Sequence, residues 1–464
     1  MHPLWGSWRI MSVITDRTGL NCQTQEAHWI RRIGSASDGI NLSWMNTRLL
    51  EWLKCPFCGG DLTVSRADRA APELEYGILN CYCGHYPVVA GIPVLKRNTD
   101  ELITFIETGE CSKALLAITK RHLFGRPTTT ALQSWTRQAQ AMLANDGTPV
   151  TARDLLAHFF RNQKDNYDYF FYRFGQPRHL VALSFASIIR RPNKPILDLA
   201  CGCGHITRSL LRQANGELVI GANKSFLEAY VAKRWVAPEA QYICCDNDES
   251  LPFPDGAFAV VLCSDAFHYF ENKMICAREL ERLTRDDGFF MMVWVHNANV
   301  RLPHDGLPLP PEGYHQLVTK TPHRLVADRT VLSRYLQKEG PPLGHQADLA
   351  DLAHEPLLSL VVSHRNEVFE DYGLFQNWPH GEGVLGFNPL YTEHQRDCSG
   401  RICLRRVFPS TFYEQDHAEC KAYLPEMIDL SLDVQEDLAS GVRTPEIERL
   451  IERYVLMDIP KRYR

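Results

Sequence analysis

The run Ile196-Leu-Asp-Leu-Ala-Cys-Gly-Cys-Gly-His205 constrains the fold of this chain more than any other feature. A short apolar strand carrying an acid leads into a turn holding Gly202 and Gly204, and a helical stretch opens at His205. Glycine admits backbone conformations closed to other residues and lets a ligand come close to the main chain. In an open parallel sheet, such a turn at a strand's carboxyl end borders the crevice where nucleotide-like ligands bind. Taken alone, a glycine-rich turn is weak evidence for any one ligand.

The downstream residues sharpen it. Residues 195–200, 217–222, 241–245, 258–263 and 289–295 are apolar runs of strand length, and 205–213, 225–235 and 273–284 have helical spacing. Five buried strands joined by helices predict a mostly parallel α/β sheet with right-handed crossovers. Segment 326–338 reads as helix and stops at Gly340-Pro341-Pro342, while 357–363 and 402–408 read as two further strands of the same sheet. The expected organisation is a disordered extension at 1–44, then a β-rich module at 45–98 and a helical linker and cap at 99–190. The sheet domain is expected at 191–410, with insertions at 297–325 and 366–400, and a helical tail at 411–464.

Composition excludes some classes. With 50 Lys and Arg against 55 Asp and Glu, no chain-wide basic field exists to recruit nucleic acid. The apolar runs are far shorter than the roughly 20 residues of a membrane helix, so no membrane partner is expected. The opening text MHPLWGSWRIMSVITDR carries two arginines and does not read as a signal peptide. Fifteen cysteines, several inside apolar strands, fit reduced thiols and a cytoplasmic location better than a disulfide framework.

Four of those cysteines form two close pairs, Cys55-Pro-Phe-Cys58 and Cys81-Tyr-Cys83. Two knuckles on two hairpins supply the four soft ligands that tetrahedral zinc takes, and a module this small gains stability from a metal. The second pair is CxC, so His85 or water is an alternative fourth ligand. The text LLEWLKCPFCGGDL and, further on, LNCYCGHYPVVAGIPVL resembles the small zinc-ribbon activators of RNA and translation-factor methyltransferases. That resemblance implies structural zinc and a docking role.

The sheet domain has its own resemblance. ILDLACGCGHITRSL, CCDNDESLPFPDGAFAVVLCSDAFHYF and RELERLTRDDGFFMMVW resemble the class I S-adenosylmethionine-dependent methyltransferases, whose Rossmann-like sheet has about seven strands. By carry-over, the loop Asp198, Ala200, Cys201, Gly202, Cys203 and Gly204 wraps the methionine part of the cofactor. Asn223 stands where the family usually has an acid for the ribose hydroxyls, Asp246 and Asn247 face the adenine, and Ser264 ends the fourth strand. Ala200 departs from the usual glycine, and Asn223 lacks the usual charge.

Methyl transfer from a sulfonium is an in-line displacement, so alignment and exclusion of water do most of the work. A base helps only when the acceptor loses a proton. His268, past the fourth strand, is the candidate, with Asp265 beside it and His296 a weaker alternative. Tyr167, Tyr169, Tyr172 and Arg173 in the aromatic run before the first strand either cover the site or pack on the sheet. Asn388-Pro-Leu-Tyr391 superficially resembles the signature of amino-group methylating enzymes, and the fourth strand lacks it. The expected reaction is methyl transfer to a small-molecule acceptor. The alternatives are an RNA or translation-protein substrate with the activator fused in cis, and a cofactor-binding scaffold without catalysis.

Overall fold

The computed structural model describes residues 44–68, 72–120, 129–144, 150–285, 287–302, 306–375 and 383–464. The extension expected to be disordered lies, but for Trp44, outside the described residues, as do residues 376–382 of the second expected insertion.

Strands β1 (Thr63–Ala67), β2 (Gly77–Cys81), β3 (Gly84–Val89) and β4 (Ile92–Pro93) form an antiparallel four-stranded sheet in that order. This is the β-rich module. It leans on the large sheet through Leu49, Leu53, Leu79 and Val88, which share one hydrophobic core with Leu197, Ile220, Ile243 and Val261.

The large sheet comprises β5 (Ile196–Leu199), β6 (Val219–Asn223), β7 (Gln241–Cys244), β8 (Val260–Ser264), β9 (Phe289–His296), β10 (His323–Ala327) and β11 (Leu357–Ser363). Their spatial order is β10-β11-β9-β8-β5-β6-β7. Strands β5 to β9 run parallel, and β11 is antiparallel to both β9 and β10. Strand order reverses between β5 and β8, which puts the crevice at their carboxyl ends. β5 to β7 are buried at every position, as a sheet covered on both faces requires.

The module caps the β7 edge. Val94 forms a parallel bridge with Cys244, and the Leu95 amide donates to the Cys244 carbonyl at 2.8 Å. Pairing there blunts an otherwise open sheet edge. The Lys54 amide donates to the Pro252 carbonyl, and the Asn46 amide to Gln241 Oε1, which clamps the module from its other end.

Two expectations about the sheet's far side need correction. Residues 323–325, placed in an insertion, begin β10, the edge strand of the sheet. Ile402–Arg406, expected in the same sheet, pairs instead with Tyr391–Arg396 and Met427–Leu430 in a separate antiparallel sheet. Tyr391–Arg396 is exposed at five of its six positions, so this small sheet has one wet face and cannot sit in a doubly covered parallel sheet. The C-terminal region carries the expected helices, Leu432–Ser440 and Pro445–Glu452, but also the strands Met427–Leu430 and Leu456–Asp458.

Helix Pro177–Ala186 is buried along its whole length, and the aromatic helix Lys164–Phe171 precedes it. The chain's end reaches this cap. Tyr463 lies 2.8 Å from His205 Nε2 and donates to the Phe170 carbonyl at 2.7 Å, so cap, glycine turn and C-terminus are held together.

Candidate active site

The turn between β5 and helix His205–Gln213 carries left-handed backbone at alternate positions, Ala200 at φ 58°, Gly202 at 51° and Gly204 at 78°. Gly204 admits no side chain, since a Cβ there would stand 2.7 Å from the Ala232 methyl. Ala200 occupies the same region without glycine's freedom, at a cost of about 1–2 kcal/mol. Phe170 of the cap lies over the turn, 3.4 Å from the position a Cβ on Gly202 would take.

Beneath the turn, Asp198 is buried and accepts a 2.5 Å hydrogen bond from Thr207 Oγ1. Burial pushes its carboxyl up to about 7. Its side chain thus braces the first turn of the helix that begins at His205. Cys201 closes against β6 through its amide and the Ala222 carbonyl, and Cys203 is buried behind it.

At the end of β6, Asn223 Oδ1 accepts from the Gly202 amide at 3.4 Å, and Asn223 Nδ2 donates to Glu228 Oε2 at 2.9 Å. Glu228 stands in the first turn of helix Phe226–Val231, which Ser225 caps by accepting from the Glu228 amide. Burial pushes the Glu228 carboxyl up, opposed by its hydrogen bonds from Asn223 and Ser225. A buried carboxylate thus stands five residues after Asn223, held by its side chain. Sequence reasoning missed Glu228; the capping Ser225 three residues before it was the available signal.

At the ends of β7 and β8, Asp246 pairs with Lys96 of the β-rich module at 3.1 Å. Asn247 Oδ1 and Ser264 Oγ are buried with no hydrogen-bond partner among the described residues. Buried polar atoms are ordinarily satisfied, so these two mark a place for a polar ligand. Their position at and beyond the carboxyl ends of β8 and β7, on the side of the sheet where the glycine turn follows β5, fits a nucleoside bearing an amino-acid arm.

Past β8 the expectation for Asp265 needs correction. Its Oδ2 accepts from Arg173 at 2.8 Å, Arg178 at 3.1 Å and the Tyr169 hydroxyl at 3.0 Å. Burial alone would raise its pKa, but the two guanidiniums overcome that and hold it well below the usual carboxylate range. A carboxylate so engaged does not serve as a proton acceptor. Arg178 continues the chain to Asp416 at 2.8 Å. Tyr169 and Arg173 of the aromatic run are thus brought to the end of β8, while Tyr167 stacks on Phe171. A bulge in β9 between Met292 and Val295 turns Trp294 toward Arg178, with 5.8 Å from guanidinium to ring.

His268 is fully buried and stacks on His296, ring centroids 3.6 Å apart. Neither of its ring nitrogens has a hydrogen-bond partner among the described residues. Burial lowers its pKa to about 3, leaving the ring neutral. Asp265, His268 and His296 bring their ligand atoms within 4.8 Å of one another. The two guanidiniums against Asp265 oppose a cation there. Asn388 donates to the Tyr454 carbonyl and accepts from the Leu390 amide, a structural tie in a buried loop that packs against Gly175.

In the β-rich module the Sγ atoms of Cys55, Cys58, Cys81 and Cys83 lie within 4.8 Å of one another. Cys55–Cys83 and Cys81–Cys83 are 3.4 Å apart and Cys58–Cys81 3.9 Å, with no disulfide. Four thiolates around tetrahedral zinc stand about 3.8 Å apart for Zn–S bonds of about 2.3 Å. The donor set fits that metal. His85 is outside it, bonded to Asn80 Oδ1 at 2.7 Å.

A profile described as "Methyltransferase domain" matches residues 197–292. The uncharacterized methyltransferase YcgJ of Bacillus subtilis is 28% identical over 106 residues, which is 22% of this chain and 41% of that protein. The ubiquinone/menaquinone biosynthesis C-methyltransferase UbiE of Burkholderia cenocepacia is 29% identical over 147 residues, 30% of this chain and 59% of that protein. The chain thus spans two fifths to three fifths of the length of these relatives. The crystal structure of YcgJ superposes with a TM-score of 0.29 and 17% identity, covering 40% of this chain and 99% of that one. The seven-stranded sheet is a Rossmann-like methyltransferase fold, joined to an N-terminal β-rich region with a cysteine cluster.

Proposed function

We propose that the chain binds S-adenosylmethionine across the carboxyl ends of β5 to β8 and methylates a small-molecule acceptor. The observation that carries the reading is the pair of buried atoms Asn247 Oδ1 and Ser264 Oγ, without hydrogen-bond partners among the described residues, at the same ends of the sheet as the glycine turn and the Glu228 carboxylate that Asn223 holds. The turn from Asp198 to Gly204 would hold the methionine arm through its backbone. Glu228, aimed by Asn223, would take the ribose hydroxyls, and Asp246 and Asn247 the adenine. Bound there, the cofactor supplies an electrophilic methyl group on a sulfonium.

The chain's own contribution is placement. Phe170 and the cap exclude water from above the turn, which strengthens every polar contact beneath it. The ion pairs of Asp265 fix the end of β8, so the backbone beyond it is held rigid. His268 presents a neutral ring nitrogen as a hydrogen-bond acceptor for the substrate. With its pKa near 3 it aligns the acceptor rather than stripping a proton from it. The net charge of −5 and a relative named for C-methylation in quinone biosynthesis support a small acceptor. The four cysteines would hold structural zinc, and the module would dock on the β7 edge.

A second reading, an RNA or translation-protein acceptor with the activator fused in cis, draws on that edge pairing and on Lys96 reaching Asp246. Transfer of tritiated methyl from S-adenosylmethionine into a lysate separates the two. Label in the solvent-extractable fraction supports the first; label confined to RNA or protein replaces it with the second.

A further inference from the structure

Away from the crevice, a cavity of about 350 Å³ opens between the β-rich module, helix Cys111–Lys120 and the helical segment C-terminal to β6. Its size falls within the range of small-molecule sites, about 300–1,000 Å³. Lys233 stands in its wall, 6% exposed, and its ammonium has no hydrogen-bond partner among the described residues. Removing an unpaired charge from water is costly, and folded chains rarely bear that cost without a use for the group.

The lysine is also held in place. Its Cε packs against Gly91 of the module, so closely that a Cβ there would stand 3.0 Å away. The turn that carries it, Ala232–Val236, is a π-helical widening of the helix, a distortion often found at functional sites. Burial lowers the Lys233 pKa to about 7, and Glu73 acts in the opposite sense.

The rest of the lining defines the ligand. Leu115, Leu116 and Leu143 give an apolar wall. Of the other charged lining groups, Arg234 lies over the Trp235 ring and Glu75 adds a negative charge. Lys233 and Arg234 against Glu75 leave one net positive charge in the lining, which suits a single negative charge and leaves a dianion under-neutralised.

We propose that this cavity binds a small organic monoanion, with a carboxylate on Lys233 Nζ and an apolar body against Leu115, Leu116 and Leu143. The site is separate from the cofactor crevice and does not depend on methyl transfer. The probe is 1-naphthoate, titrated into the full chain by calorimetry beside the neutral 1-naphthalenemethanol and the dianion 1-naphthyl phosphate. Naphthoate should bind one-to-one and better than either companion. Lys233→Met should weaken it about tenfold or more, as loss of a charged hydrogen bond does, and leave 1-naphthalenemethanol unchanged. Without ligand, Lys233→Met should melt at a higher temperature than the parent, because an unpaired ammonium has been removed. Leu116→Trp, which fills the cavity and keeps the lysine, should abolish binding of all three. No naphthoate binding at about 1 mM, equal binding to Lys233→Met, or preference for the phosphate would each overturn the proposal.

Discussion

The Asn223 amide donates to Glu228 Oε2 at 2.9 Å, and that oxygen stands 3.9 Å from where a side chain on Gly202 would begin. A neutral residue at the end of β6 thus aims a carboxylate from the next helix at the glycine turn. In the proposed cofactor site, these two residues together would take the part of one acid. The carbonyl of the same amide accepts from the Gly202 backbone, so the turn and the carboxylate are tied to one side chain.

Glu228→Gln should therefore weaken S-adenosylhomocysteine binding by about tenfold, the worth of one charged hydrogen bond, with the fold intact. Asn223→Asp should also weaken it, because two neighbouring carboxylates raise one another's pKa and one is protonated. Calorimetric titration of both variants checks the pair. Tighter binding by Asn223→Asp would mean that Glu228 lies outside the ribose site.

Asp265→Asn should destabilise the protein by about 3–5 kcal/mol at neutral pH, because it leaves Arg173 buried without its counter-ion and Arg178 with Asp416 alone. The lowered carboxyl sets the sign with pH. Its stabilising effect is full above the unfolded value near 4 and is lost as pH falls toward the depressed folded value. Melting curves of parent and variant should stay apart down to about pH 4 and converge below it.

Asp198 behaves in the opposite sense. Its carboxyl is raised to about 7 by burial, so its ionisation costs stability increasingly as pH climbs from about 4, and fully above 7. Asp198→Asn keeps an oxygen for Thr207 Oγ1 and should match or exceed the parent's melting temperature at pH 8. A lower melting temperature there would show that the charged form is the one the fold holds.

How far the sequence reveals this site depends on the distance over which each interaction is made. The ends of β5, β6 and β8 are legible because apolar runs stop abruptly at glycine, asparagine or serine, and local pattern decides them. Asp265 and Arg173 are 92 residues apart, and nothing in either neighbourhood foretells that they meet. Without that contact, Asp265 reads as a free acid next to a histidine. Residues 402–406 have a strand's composition, and whether they join the large sheet turns on partners that only the tertiary fold supplies. The same holds for β10, whose strand character is masked by the turn-rich text on either side.

Ala200→Gly should raise stability by up to about 1 kcal/mol, since glycine takes φ 58° without strain, part of the gain being offset by greater freedom of the unfolded chain. Denaturant midpoints measure it. A loss would show that the alanine methyl packs usefully beneath the turn.

The paired substitution Cys55→Ser with Cys58→Ser should lower bound zinc from one equivalent to none and destabilise the β-rich module. Elemental analysis of purified protein, with melting curves before and after chelation, reads both. Unchanged zinc would remove the four-cysteine assignment.

The most direct measurement is calorimetric titration of S-adenosylhomocysteine into the full chain and into Gly202→Val. Valine at φ 51° meets Phe170 and closes the space over the turn. Saturable one-to-one binding to the parent, lost in a variant that still melts cooperatively, is the predicted result. Absence of binding to the parent, or equal affinity in the variant, would contradict a cofactor crevice at the carboxyl ends of β5 and β6.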